Sequence, residues 1–107
     1  MVTKRYQVQR HRQLNREDLG ELPIQLQDNL TQYEKVLALD PIQTKGIPNH
    51  SLAGQLRGYR ALEIDWGQIS YRLVYRIYEK PAPRRVLILS FAEHDAAYEK
   101  ATQRKKI

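Results

Sequence analysis

The sequence predicts one α+β domain over residues 1–107, in which a helical hairpin packs on a small antiparallel sheet. An apolar stripe with helical spacing occupies the first half of the chain, and apolar residues alternate with a period of two in the second half. Short turns separate the strands of the second half, and such turns connect antiparallel neighbours. We therefore expect the order β-α-α-β-β-β-α, with the helices on one face of the sheet.

The chain begins with a predicted strand over residues 4–11, because Tyr6 and Val8 alternate with polar neighbours. A short helix over residues 16–22 follows, and Asn15 is its expected N-cap. Acidic side chains in the first turn of this helix suit the positive end of the helix dipole.

A longer helix is predicted over residues 24–39, with Pro23 at its start. Its apolar side chains recur at helical spacing and form one stripe that faces the core. The stripe consists of Leu26, Leu30, Tyr33 and Leu37, widened by Ile24 and Val36. The helix ends before Pro41, because the residue that precedes a proline disfavours the α region.

Glycine and proline residues mark residues 42–58 as a loop, after which the period changes to two. Strands are predicted over residues 61–66, 71–78 and 86–91, and a terminal helix over residues 95–104. Gly67-Gln68 is the expected hairpin turn between the first two of these strands. The strand over residues 86–91 is apolar on both sides, which is typical of a central or covered strand.

Composition excludes several classes of protein. The chain contains no cysteine, so it has neither a disulfide framework nor a thiolate zinc site. The longest apolar run covers only residues 86–89, which is too short to cross a bilayer. The N-terminus lacks the apolar stretch of a secretory signal, and we therefore expect a cytoplasmic protein.

The charge is strongly positive and unevenly distributed. The formal net charge is +6, and residues 48–92 hold seven basic against three acidic side chains. Residues 1–47 are nearly balanced, with seven basic and six acidic side chains. A basic domain of this size suggests a polyanionic partner, most simply a nucleic acid.

Four segments together resemble the RelE/ParE superfamily of toxins from bacterial type II toxin–antitoxin systems. They are residues 18–27 (DLGELPIQLQ), 50–60 (HSLAGQLRGYR), 71–75 (YRLVY) and 94–98 (HDAAY). Each segment is short, but the four occur in the order, spacing and predicted elements of that superfamily. The resemblance implies a RelE-like fold.

The resemblance also implies a function. RelE-like and YafQ-like members cleave mRNA in the ribosomal A site, whereas ParE-like members inhibit DNA gyrase and lack the nuclease residues. The segment that begins at His50 is most similar to the YafQ-like branch. We therefore expect a ribosome-dependent mRNA endoribonuclease that needs no metal or other cofactor and is bound by a cognate antitoxin. The alternatives are a ParE-like gyrase inhibitor and an inert relic that only binds its antitoxin.

Cleavage of this type uses the RNA 2′-OH as the nucleophile and requires a base, cations and an acid. The planar guanidinium of Arg72 suits a phosphate, and Arg60 is expected to be a second cation over the same phosphate. His94 is the expected general acid, because a histidine exchanges protons near neutral pH. Tyr98 is expected to stack on a base or to help hold the scissile phosphate.

Two residues compete for the role of general base. His50 lies in the predicted loop, where functional groups are often placed, and Glu63 lies on the following strand. A basic surface is expected to contact RNA around these groups. It consists of Arg57, Arg60, Arg76, Lys105 and Lys106.

Overall fold

The computed structural model describes residues 5–105. The strands are β1 (Gln7–Arg10), β2 (Asn49–Ser51), β3 (Tyr59–Trp66), β4 (Ile69–Tyr78) and β5 (Arg85–Glu93). The helices are α1 (Leu19–Glu21), which continues a π-helical turn over Leu14–Asp18, α2 (Ile24–Leu39) and α3 (His94–Arg104). A 3-10 turn covers Gly54–Leu56. Of the predicted first strand, Lys4 lies outside the described residues.

The strands form one mixed sheet in the order β1-β5-β4-β3-β2. The α+β prediction is confirmed, and β2 to β5 pair in antiparallel fashion as expected. β1 differs, because it pairs with β5 in parallel after the chain has crossed over through the helices. β2 lies in the segment predicted as a loop, and it pairs with β3 only from Arg60 to Leu62.

Helices cover both faces of the sheet, so the prediction that they share one face is wrong. α1 and α2 pack on one face, here called the hairpin face, and α3 packs on the other, the α3 face. Buried side chains of the hairpin face include Leu14, Leu26, Leu30, Leu37, Leu62, Leu73, Tyr75, Ile88 and Phe91. Those of the α3 face include Leu56, Tyr59, Ala61, Val74, Leu89, Ala97 and Ala101.

The long helix α2 has the predicted bounds, and its apolar stripe is buried. Leu26, Leu30 and Leu37 are at most 1% exposed, and Asp40 ends the helix in an extended conformation. Ile24 does not widen the stripe, because it is 69% exposed at the start of the helix. No helix within residues 5–105 has both the length and the apolar composition that a membrane crossing requires.

The first helical segment begins earlier than predicted, so Asn15 is inside it and is not an N-cap. Within its π-helical turn the N–H of Leu19 donates to the carbonyl of Leu14, which is five residues earlier. Leu14 and Asp18 are both fully buried. The turn thus directs an apolar and a charged side chain toward the sheet.

Asp18 caps the part of β5 that β1 does not reach. The pairing of β1 ends at Ile88, and the N–H of Phe91 beyond it donates to Asp18 Oδ2 at 2.9 Å. The Nη1 and Nη2 atoms of Arg104 each donate to the same carboxylate at 2.9 Å, and Lys100 donates at 3.2 Å. Burial disfavours the charge of Lys100, but its hydrogen bonds to Glu21 and Asp18 outweigh burial and raise its pKa.

We predict that Asp18→Ala lowers the free energy of unfolding by about 3–5 kcal/mol, because it leaves the buried Arg104 guanidinium without its carboxylate. Urea unfolding followed by circular dichroism measures the change. Glu17→Ala is the matched control, because Glu17 is half exposed and lies 3.8 Å from the same guanidinium. We expect the control to cost at most about 1 kcal/mol. Equal losses in the two variants would contradict the assignment.

Candidate functional site

The register of the β3–β4 hairpin decides which side chains share a face. Gly67 and Gln68 both have positive φ, 59° and 66°, as a two-residue type I′ turn requires. Residue pairs counted back from this turn place Glu63 opposite Arg72, and both side chains face the α3 side of the sheet. Since successive side chains of a strand alternate, the neighbouring residues Leu62 and Leu73 face the hairpin helices.

Three polar side chains meet on the α3 face at the end of the sheet that β2 borders. His50 lies on β2, and its Nδ1 is 2.8 Å from Glu63 Oε2. The other carboxylate oxygen, Oε1, is 4.0 Å from Arg72 Nη2. The exposed fractions of these side chains fall from 43% for His50 to 36% for Glu63 and 13% for Arg72. Both candidates for the base therefore belong to one cluster, in contact with each other.

Arg72 retains hydrogen-bonding capacity that the protein does not use. Its Nη1 donates to the carbonyl of Tyr71 at 3.0 Å, but its Nε is buried and has no partner among residues 5–105. An unpartnered buried donor is costly and rare in native proteins, and a catalytic or binding role is one of the explanations that it calls for. The planar fork of a guanidinium matches an anion that brings two acceptor oxygens.

Arg60 does not join this cluster. It pairs across the sheet with Tyr75, whose side chain is buried against the hairpin helices. Its Nε and Nη2 donate to Asn49 Oδ1 at 3.0 and 2.6 Å. The expectation that Arg60 and Arg72 lie over the same phosphate is therefore wrong, because the two side chains are on opposite faces of the sheet.

His94 and Tyr98 form a second pair at the start of α3. Their ring centroids are 4.7 Å apart in an edge-to-face arrangement, and His94 Nδ1 is 2.8 Å from Asp95 Oδ1. His94 is half exposed and also borders a cleft of about 630 Å³ beside α1. Across the described chain, neither residue has a hydrogen bond or ion pair with Arg72. Arg72 pairs across the sheet with Ala92, two residues before His94.

The predicted basic surface is only partly assembled. Arg57 is exposed at the end of the 3-10 turn, and Lys105 donates from Nζ to the carbonyl of Gln55. Arg76 lies on the α3 face between the rings of Tyr59 and Tyr78. The predicted basic surface included Arg76 but neither of these tyrosines. Period-two alternation along β4 was the available signal, because it places residues 72, 76 and 78 on one face. Lys106 lies outside the described residues.

No group of three or more His, Asp or Glu side chains within residues 5–105 is arranged to hold a metal ion. The cluster around Arg72 instead joins this guanidinium to the His50–Glu63 pair.

Comparison with solved structures identifies the fold. The chain superposes on the free-state structure of a double arginine-to-alanine mutant of the E. coli toxin RelE with a TM-score of 0.59 and 20% sequence identity. The match covers 92% of this chain and 96% of that chain. No family model and no curated protein matches the sequence. The protein thus has a RelE-like fold, as the sequence resemblance implied.

The hydrogen bonds of the histidines predict opposite tautomers for His50 and His11. An ionised carboxylate can only accept a hydrogen bond, so Nδ1 of His50 donates to Oε2 of Glu63. The neutral His50 ring therefore carries its proton on Nδ1, and Nε2 is unprotonated. Nδ1 of His11 accepts the backbone N–H of Gln13 at 3.1 Å, so its proton is on Nε2. Burial, with the nearby charges of Arg104 and Arg12, lowers the pKa of His11.

The ¹⁵N chemical shifts of the two rings, recorded with both rings neutral, measure the tautomers. We expect Glu63→Leu to shift His50 toward the Nε2–H form and to leave His11 unchanged. An Nε2–H tautomer of His50 in the wild-type protein would contradict the assignment.

Proposed function

We propose that this RelE-like protein is the toxin of a type II toxin–antitoxin system and cleaves mRNA on the ribosome. The observation that carries the proposal is the buried, unpartnered Nε of Arg72 beside the His50–Glu63 pair. This arrangement combines a guanidinium suited to a phosphate with a histidine whose second nitrogen is free. When a 2′-OH attacks the adjacent phosphate, the reaction requires a cation and a base, and this arrangement offers a group for each role.

In this proposal Arg72 binds the scissile phosphate through its guanidinium. The negative charge on the non-bridging oxygens increases as the 2′-oxygen attacks phosphorus. A fixed cation with free N–H donors stabilises that charge more than it stabilises the ground state. The hydrogen bond to the Tyr71 carbonyl and the low exposure of the side chain hold the guanidinium in place before the substrate arrives.

His50 is the proposed base, and Glu63 is its positioning residue. Nε2 of His50 takes the proton of the 2′-OH while the bond between the 2′-oxygen and phosphorus forms. The carboxylate 2.8 Å from Nδ1 fixes the ring orientation and balances the charge of the imidazolium that results. The two candidates for the base thus take different roles in one pair.

His94 is the proposed acid. As the bond between phosphorus and the 5′-oxygen breaks, His94 donates a proton to that oxygen, which leaves a 2′,3′-cyclic phosphate and a 5′-hydroxyl. The ring of Tyr98, 4.7 Å away, restricts the imidazole and offers an aromatic surface for a base. The mRNA itself connects this pair to Arg72, and the ribosome fixes the path of the mRNA.

The proposed partners are the ribosome with its mRNA and a cognate antitoxin. The net charge of +6 favours docking on ribosomal RNA, and Arg57 and Lys105 extend the basic surface around the 3-10 turn. The antitoxin would neutralise the toxin by covering the α3 face.

We predict that inducible expression produces new mRNA 5′ ends inside codons, and that Arg72→Ala and His94→Ala abolish them. Mapping of 5′ ends on a reporter mRNA, with and without a block of translation initiation, measures this. His50→Ala should reduce cleavage by about 10²–10⁴-fold, the usual contribution of a general base. Arg16→Ala is the control, because this arginine is exposed on the first helical segment, away from the α3 face.

Three outcomes would contradict the proposal. Growth arrest with intact mRNA would favour a gyrase inhibitor. The absence of growth arrest, with the protein present at normal abundance, would favour an inert antitoxin-binding protein. Cleavage that persists in Arg72→Ala would place the active site elsewhere.

A further inference from the structure

Two arginines and two tyrosines alternate across three strands of the α3 face. The guanidinium carbon of Arg76 on β4 lies 5.2 Å from the ring centroid of Tyr59 on β3 and 5.0 Å from that of Tyr78. The guanidinium carbon of Arg85 on β5 lies 5.0 Å from the ring of Tyr78. We call these four side chains the Tyr–Arg row.

The row carries two positive charges that no carboxylate among residues 5–105 neutralises. Neither Arg76 nor Arg85 has a described carboxylate within 4.0 Å, whereas Arg10, Arg84 and Arg104 each pair with at least one. Among residues 5–105, the side chain of Arg76 donates one long hydrogen bond, 3.5 Å, to the hydroxyl of Tyr59. Aromatic rings thus hold both guanidinium groups in place, and most of their N–H donors remain free.

The row lies on the same face of the sheet as Arg72. Residues 72, 76 and 78 share a face because β4 alternates regularly, and Arg85 pairs directly with Tyr78. Arg76 is four residues from Arg72, which is about 13 Å along a strand. Val74 lies between the two arginines on this face and is fully buried with Leu56, Ala97 and Ala101, so α3 and the 3-10 turn cover the direct path along β4.

We propose that the Tyr–Arg row binds backbone phosphates of a single-stranded RNA, at a site that α3 separates from Arg72. The inference rests on the proposed function and adds a second site to it. Stacking on the rings restricts the arginine rotamers before binding, so less conformational entropy is lost when a phosphate is bound. Arginines beside aromatic rings are also the usual means by which proteins follow a single strand without reading its sequence.

An acidic peptide is the other polyanion that two arginines attract. A single-stranded nucleic acid fits the row better, because it brings phosphates for the guanidinium groups together with bases that stack on guanidinium and aromatic planes. The direction of the row, diagonally from β3 to β5, gives the path of the strand across the sheet.

The test uses a short fluorescein-labelled 2′-O-methyl oligonucleotide of mixed sequence, which has no free 2′-OH and is not cleaved. Fluorescence anisotropy over a range of salt concentrations gives the slope of log K against log [salt]. Each phosphate contact on a single strand contributes about 0.7 to this slope. We expect Arg76→Gln and Arg85→Gln each to reduce its magnitude by about 0.7, and the double variant by about 1.4.

Arg84→Gln is the matched control, because Arg84 precedes Arg85 but pairs with Glu79 and stacks on Tyr6. An unchanged slope in the double variant, or an equal reduction in the control, would overturn the proposal. A labelled oligoglutamate is the second probe. If the double variant weakened its binding as much as that of the oligonucleotide, the row would be a general polyanion site and the proposal would fail.

The outcome is separable from that of the proposed function, because the binding assay requires no cleavage. A reduced slope in the double variant together with intact mRNA in cells would support RNA binding by the Tyr–Arg row and contradict the proposed nuclease activity. mRNA cleavage that depends on Arg72, together with an unchanged slope in the double variant, would support the nuclease activity and contradict RNA binding by the Tyr–Arg row.

Discussion

A buried carboxylate takes the place of a missing strand in this fold. β1 accompanies β5 only as far as Ile88, and beyond that point Asp18 accepts the N–H of Phe91. Arg104 neutralises the carboxylate and also donates to the carbonyl of Leu89, so α3 is fixed to the same stretch of β5. The first helical segment, β5 and the last helix therefore meet at one ionic contact. This contact fixes the helices of the two faces relative to each other.

The candidate site owes its geometry to the register of the sheet rather than to a preformed cavity. Arg72 stands between Tyr71 and Leu73, both of which are buried against the hairpin helices. A register shift of one residue in β4 would turn Arg72 toward the hairpin helices and Leu73 toward the α3 face. The register that buries Leu73 in the core therefore also places the Arg72 guanidinium on the α3 face. The same logic separates Arg72 from Arg60. Their side chains resemble each other chemically, but the alternation of the strands sends them to opposite faces.

The regular elements were predictable because their signals are local. The apolar stripe of α2 and the alternation along β4 depend only on neighbours in sequence, and both matched the structure. The separation of Arg60 from Arg72 was also open to prediction, since counting back from the Gly67-Gln68 turn pairs Glu63 with Arg72. The contact between Asp18 and Arg104 joins residues 86 positions apart, and nothing in the local sequence distinguishes this carboxylate from its exposed neighbours. The parallel pairing of β1 with β5 likewise joins segments that are far apart in sequence, and local patterns do not indicate it.

The brevity of β2 has a consequence for behaviour at high concentration. β2 covers β3 only from Arg60 to Leu62, so the final residues of β3, through Trp66, form an open margin of the sheet. Open margins are templates on which chains of separate molecules add to one another and form aggregates. Here the margin is short, carries the exposed carboxylate of Asp65 and ends at a tight turn. The part of β3 that could pair with another molecule is therefore limited to a few residues at the edge of the sheet.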